Sequence, residues 1–500
     1  MKLKAILLAG LLCLSGIIHA ADNPVIKIET ATTSLIFRVG DNGRLYQSYL
    51  GKRLHNEADI RHLPQGTEGY LTHGLEDYYE PALHIVHNDG NPSTLLKYTS
   101  HSSQKLTDGA TETVITLNDD QYPITVKLHY VAYPAENIIK TFSEISHKEK
   151  KPVSLQKYAS SMLHLNRNKY FLTEFCGDWS HEANVTEREL AYGKKVIDTK
   201  LGARANMFVS PFFQVSLDNP SEENAGEVLV GTLGWTGNFR FTFEVDHQNH
   251  LRVISGINPY ASEYSLPANE VFRTPDFYFT YSLDGKGQAS RNFHDWARRY
   301  QVKAGDETRM TLLNNWEATY FDFTEERLVE IASKAKKCGV QLFVLDDGWF
   351  GARRNDRAGL GDWIANMELL PNGISGLANR IEELGMKFGL WIEPEMVNKD
   401  SDLYRKHPDW ILQTPGRRVS HGRYQYVLDF SRKEIVDYIY GMIAKLLSES
   451  NISYIKWDMN RSITECYSIA YPADQQGEIF HRYILGVYDL YERLTSAFPE

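Results

Sequence analysis

Alternation of apolar and polar residues with period two dominates the first half of the chain. In ITVKLHYVAY, Ile124, Val126, Leu128 and Tyr130 alternate with Thr125, Lys127 and His129. In FRFTFEV, Phe239, Phe241, Phe243 and Val245 alternate with Arg240, Thr242 and Glu244. Strand side chains point to opposite faces in turn, so the pattern predicts antiparallel sheets with one wet face. SLIFRV and RLYQSYL flank Gly40-Asp41-Asn42-Gly43, a hairpin signal. Residues 22–285 therefore read as a large N-terminal β-sandwich. Residues 289–301 change period: Phe293, Trp296, Ala297 and Tyr300 fall at helical spacing, a connecting helix inside a 286–310 linker.

From residue 311 the rhythm becomes strand, loop, helix. TLLNNWEA, VQLFVLDDGW, MKFGLWIEPEM, YQYVLDF and ISYIKWD read as five strands. Helices are expected at 324–337, near 375–384, around 400–406, over Arg432 to Glu449, and at 475–497. Short apolar strands alternating with helices imply a parallel sheet. Polar residues end every strand: Asn315 and Glu317, Asp346 and Asp347, Glu393 and Glu395, Asp429, Asp458. A (β/α)8 barrel of the TIM type builds its active site at those ends. Such a barrel needs eight strands in about 250 residues, and 311–500 supplies five units. The expectation is the N-terminal part of a barrel, in a chain truncated on its C-terminal side, with three strands absent.

Five hundred residues exceed one ordinary core and agree with a multidomain reading. Lys2 and Lys4, the apolar run Ala5 to Ile18, and small residues near Ala20 and Ala21 read as a signal peptide over 1–21. The run is short for a membrane span, so export to the periplasm or beyond is expected, with no span after cleavage. The formal charge is −10, and more negative without Lys2 and Lys4, which argues against a nucleic-acid partner. Cys176, Cys338 and Cys466 are far apart and show neither a disulfide framework nor zinc spacing.

The chemistry concentrates at the strand ends. In YIKWD, Tyr454, Lys456 and Asp458 share one face, and Ile455 and Trp457 the other. The polar face must point into the barrel mouth, where an ionised Asp458 with Lys456 beside it can act as a nucleophile; a buried structural ion pair is the alternative. Asp346 and Asp347 can bind metal, accept hydrogen bonds from sugar hydroxyls, or cap the next helix. Metal is disfavoured because His421 is the single further ligand in view. Trp316, Trp349 and Trp391 offer apolar walls for a pyranose face. Arg423 either serves the site or pairs with a surface acid, and Asp429 either serves it or caps a helix.

NNWEATYFDF, LFVLDDGWFGARRNDRAGLGDW, GLWIEPEMVNKDSDLYRKHPDWIL, RYQYVLDFSR and YIKWDMNR together resemble the α-galactosidases of glycoside hydrolase family 36. The upstream half is similar to that family's β-supersandwich, and the resemblance implies that the family's C-terminal β-domain is absent from these 500 residues. The resemblance implies a retaining α-galactosidase that removes terminal non-reducing α-D-galactose from oligosaccharides of the melibiose and raffinose type, without cofactor or metal. It implies Asp458 as nucleophile and Lys456 and Asn460 as contacts to sugar hydroxyls. Asp346 and Asp347 would hold the O4 and O6 edge, Arg423 and Trp391 would line the subsite, and Trp316 would form a wall. A homo-oligomer is compatible with the family.

A retaining glycosidase also needs a second carboxylate about 5–5.5 Å from the first. The family's acid/base lies on a later strand, and Asp474, Glu478, Asp489 and Glu492 sit in no matching motif. These 500 residues by themselves are therefore expected not to hydrolyse ordinary α-galactosides. The alternatives are an α-N-acetylgalactosaminidase or α-galactosyltransferase of the same design, and a non-catalytic galactoside-binding protein.

Overall fold

Three antiparallel sheets built from Val25 to Ser282 form the first half of the computed structural model. It describes residues 23–74, 78–202 and 208–499, so the 1–21 leader lies outside the described residues. The hairpin expected at Gly40–Gly43 joins strands Thr33–Val39 and Leu45–Lys52. ITVKLHYVAY is the strand Ile124–Tyr133, and its apolar set is buried. FRFTFEV departs from expectation: Thr242 and Glu244 are buried too. The segment at 79–80 covers that face. Arg252 pairs with Glu244 at 3.2 Å and stacks on Tyr79, and the Glu80 amide donates to Glu244 at 3.0 Å. A buried acid is tolerated there because it is paired with a base and hydrogen-bonded.

The connecting helix runs Gly285–Trp296 and ends in one wide turn at Ala297–Gln301. The second half then lays down four parallel strands, β1 (Leu312–Asn314), β2 (Leu342–Leu345), β3 (Lys387–Ile392) and β4 (Tyr454–Trp457), in that spatial order. Helices α1 (Glu325–Lys337), α2 (Gly373–Glu383), α3 (Lys433–Glu449) and α4 (Ile479–Ala497) alternate with them. Local chemistry sets their ends. Thr324 caps α1 by accepting the Arg327 amide, Glu325 and Glu326 fill its first turn, and Lys334, Lys336 and Lys337 its last.

YQYVLDF is not a strand of this sheet. Gln425–Val427 pairs antiparallel with Met396–Asn398 in a separate two-stranded ribbon, and β4 pairs directly with β3. The barrel is thus partial, with four parallel strands rather than five among the described residues. Strand-like composition does not say which edge a segment will join.

The two halves share one apolar core. His481 of α4 stacks on Trp235, the Thr236 amide donates to the Tyr488 hydroxyl, and the Ser265 amide donates to Glu478 at 3.0 Å. The sandwich thus holds α4, which packs behind β4. Among the described residues no helix is long and apolar enough to cross a membrane.

Candidate active site

Strand alternation divides β4 as the sequence implies. Trp457 turns to the helices, with its ring 4.6 Å from that of Tyr491 and its indole N–H on Glu395 at 3.0 Å. Asp458, just past β4, continues the ladder by donating its amide to the Ile392 carbonyl. Its Oδ2 accepts Trp391 Nε1 at 3.0 Å and Asn460 Nδ2 at 2.6 Å, and its Oδ1 accepts the Met459 amide at 3.0 Å. Three donors on one half-buried carboxylate fix its direction.

The cation expected beside Asp458 is used elsewhere. Lys456 makes its ion pair with Asp346, at 2.7 Å from Oδ2. Asp346 follows β2 and Lys456 lies in β4, with β3 between them, and the nearly buried Asp346 gains from pairing with a cation. Asn314 also donates to Asp346 Oδ2, and Asn315 Oδ1 accepts the Asp346 amide.

Asp347 turns the other way, into a bidentate pair with Arg353: Nε to Oδ1 at 2.9 Å and Nη2 to Oδ2 at 2.6 Å, both side chains buried. Burial pushes the Asp347 carboxyl above the usual carboxylate range, the Arg353 guanidinium pulls it back in part, and Asp346 adds to the rise. Gly348, at φ +106°, makes the turn that lets the two acids end β2 while Trp349 returns to the core.

Of the three tryptophans expected as sugar walls, Trp349 is fully buried and donates to the Trp391 carbonyl. Trp391 is also buried and serves Asp458 through its N–H. Trp316 remains accessible, beside an open cavity of about 390 Å³ that Asn314, Glu317 and Lys456 also line. Periodicity identifies an indole at a strand end but not which face closes over it.

Arg423 and Tyr424 both adopt left-handed backbone, at φ 52° and 61°, a conformation that costs a non-glycine residue of order 1 kcal/mol. Asn398 holds them there. Its Nδ2 donates to the Tyr424 carbonyl at 3.0 Å, and its Oδ1 accepts Arg353 Nη1 and the Leu360 amide. Arg423 is exposed and makes no ion pair among the described residues. Asp429 takes the structural alternative: it accepts from Ser431 and from Ser468, at the turn before α3.

Two further acids end β3. Glu395 accepts Trp457 Nε1 and the Tyr483 hydroxyl, tying β4 to α4. Glu393 is wholly buried, accepts the Asn460 amide at 2.7 Å and Gln425 Nε2 at 3.0 Å, and is pushed up to about 8 by burial and by the neighbouring Asp458 charge. Arg353, Asn398 and Gln425 carry no strand-end signal, so sequence reasoning did not single them out; the arginine of GARRND, just beyond the paired acids, was the available hint. Among the described residues no cluster of three or more His, Cys, Asp or Glu side chains is arranged to hold a metal ion.

The β-sandwich joined to a partial α/β barrel with acids at its strand ends has clear relatives. Residues 43–267 match the glycosyl hydrolase family 36 N-terminal domain, and residues 271–500 match the melibiase family. The α-galactosidase Mel36A of Lactobacillus acidophilus is 35% identical over 96% of this chain and 70% of its own length. The α-galactosidase AgaA of Geobacillus stearothermophilus is 39% identical over 86% of this chain and 61% of its own. A crystal structure of an AgaA variant in complex with raffinose superposes with a TM-score of 0.92 at 35% identity, covering 95% of this chain and 71% of that one. The chain belongs to glycoside hydrolase family 36.

Proposed function

We propose that this chain carries the galactose-binding and nucleophile-bearing part of an α-galactosidase site. The observation that carries the reading is Asp458, aimed by Trp391 and Asn460 at the end of β4, with Lys456 of the same strand paired to Asp346 at the end of β2. In this reading Asp458 attacks the anomeric carbon of a terminal α-D-galactose unit: the glycosyl–aspartate bond forms as the bond from that carbon to the leaving oxygen breaks, and that oxygen takes its proton from a second carboxyl group. Lys456, Asn460, Asp346 and Asp347 meet the sugar hydroxyls, Arg423 and Trp391 border the subsite, and Trp316 offers an apolar wall. The melibiose and raffinose type of substrate rests on the α-galactosidase relatives, one of which binds raffinose. The Lys2-Lys4 and Ala5–Ile18 pattern supports export.

Retention requires a second carboxylate about 5–5.5 Å away with access to the glycosidic oxygen. Of the described acids beyond Asp458, Glu465 pairs with Arg461, Glu478 with Arg482 and the Ser265 amide, and Asp489 with Arg493. Glu393 is closed off from the mouth. We therefore expect the purified 500-residue chain to bind D-galactose without hydrolysing melibiose. Turnover would overturn the missing-acid reading, and absence of binding would overturn the galactoside site. Asp458→Asn should keep most of the affinity, as expected of a nucleophile rather than the main binding group.

A further inference from the structure

We propose that Glu393 is a positioning residue that aims Asp458 through Asn460 and holds the 420–425 loop, with Arg423 on it, against the same site. For its ligand the inference rests on the galactoside reading above; for its structural part it does not.

Glu393 stands one residue past β3, with no exposed surface. A carboxyl group there is costly unless hydrogen-bonded, and an apolar side chain would fill the same space. What an apolar side chain would not do is accept two donors from two different loops. One Glu393 oxygen takes the Asn460 amide and the other takes Gln425 Nε2. The first bond fixes the backbone at the residue whose side chain reaches Asp458 Oδ2 at 2.6 Å. The second fixes the ribbon strand that follows Arg423 and Tyr424, the two residues in left-handed backbone. Arg461 closes the circuit by donating to the Gln425 carbonyl at 2.7 Å and the Ser420 carbonyl at 3.2 Å. The nucleophile's loop and the arginine's loop therefore meet on one buried carboxyl. Sites on loops keep their aim only when such a support locks them.

The charged groups facing Glu393 are Asp458 from the end of β4 and Arg353 from the loop after β2. Asp458 favours a protonated Glu393, Arg353 opposes it, and burial favours it most. A protonated Glu393 needs an acceptor for its O–H, and Gln425 Oε1 supplies one once that amide turns end for end, so that Glu393 adds no charge beside Asp458. Above the pH where Glu393 ionises, a second charge would sit beside the nucleophile and disturb the loop. Glu393→Gln tests this cleanly. Among the described residues Gln425 Oε1 has no hydrogen-bond partner, so its amide can turn end for end and accept from the new glutamine.

The experiment is amide hydrogen exchange over residues 458–462, with D-galactose affinity measured from about pH 6 to about pH 9. Glu393→Ala should raise exchange at Asn460 and weaken galactose binding, each by about tenfold or more, the scale of one lost buried hydrogen bond. The wild type should lose affinity as pH rises past about 8, and Glu393→Gln should keep the exchange protection and abolish that loss. Unchanged exchange at Asn460 in Glu393→Ala overturns the proposal. If that variant does not fold, Glu393→Gln decides: a pH profile identical to wild type overturns it. If the wild type binds no galactose, the galactoside reading fails, and the exchange result still decides Glu393.

Discussion

Both halves of the molecule bury acids, and they treat them in opposite ways. In the sandwich each buried acid meets its base. Burial alone would raise the Glu80 carboxyl, but Lys157 and Lys194 outweigh it and bring it down to about 2. Glu244 and Asp246 share Arg252. At the barrel mouth the bases run out. Asp346, Asp347, Glu393, Glu395 and Asp458 face mainly Arg353 and Lys456, and Asp347, Glu393 and Glu395 are all pushed upward, with burial the leading cause. Incomplete compensation is costly to a fold and useful to a site, because it leaves hydrogen-bonding capacity and charge for a ligand. The site lies where the pairing is least complete.

The comparison breaks most easily at Arg353. Removing the single buried base of Asp347 leaves a buried acid unpaired, so Arg353→Met should cost about 3–5 kcal/mol and abolish galactose binding, read by urea unfolding and calorimetry. An unchanged unfolding midpoint would mean that Asp347 is not held by this pair. Next comes Glu395, which serves two buried donors. Glu395→Ala should cost about 1–3 kcal/mol per donor stranded, and Glu395→Gln far less. Equal losses would show that its charge, rather than its accepting oxygens, matters.

The two regions should also answer pH with opposite signs. Glu80 is depressed, so its stabilisation is present above its unfolded value of 4.5 and is lost as pH falls through about 2. Glu393 is raised, so the folded state keeps a proton the unfolded chain has released, and stability declines between 4.5 and about 8. Glu80→Gln should flatten the acid limb of a stability–pH curve and Glu393→Gln the neutral limb. Exchanged effects would refute the contrast. The smallest effect belongs to the exposed helix pair of Lys433 with Asp437, where Lys433→Ala should change stability by about 0.3–0.5 kcal/mol.

The sequence by itself determined the hairpin at Gly40–Gly43, the strand–helix rhythm after residue 311, and the acids at the strand ends. These follow from periodicity, which is a property of neighbours along the chain. It also separated the two faces of β4, since alternation needs no partner strand. Tertiary structure alone decided which partner each group took. Lys456 reached Asp346 instead of Asp458, Trp349 went inward while Trp316 stayed at the mouth, and Gln425–Val427 left the parallel sheet for an antiparallel ribbon. Glu393, Asn398 and Arg353 acquired their places in the site from loops brought together across the fold. Such pairings depend on burial, and burial of one segment is set by others distant in sequence, so no local pattern encodes them.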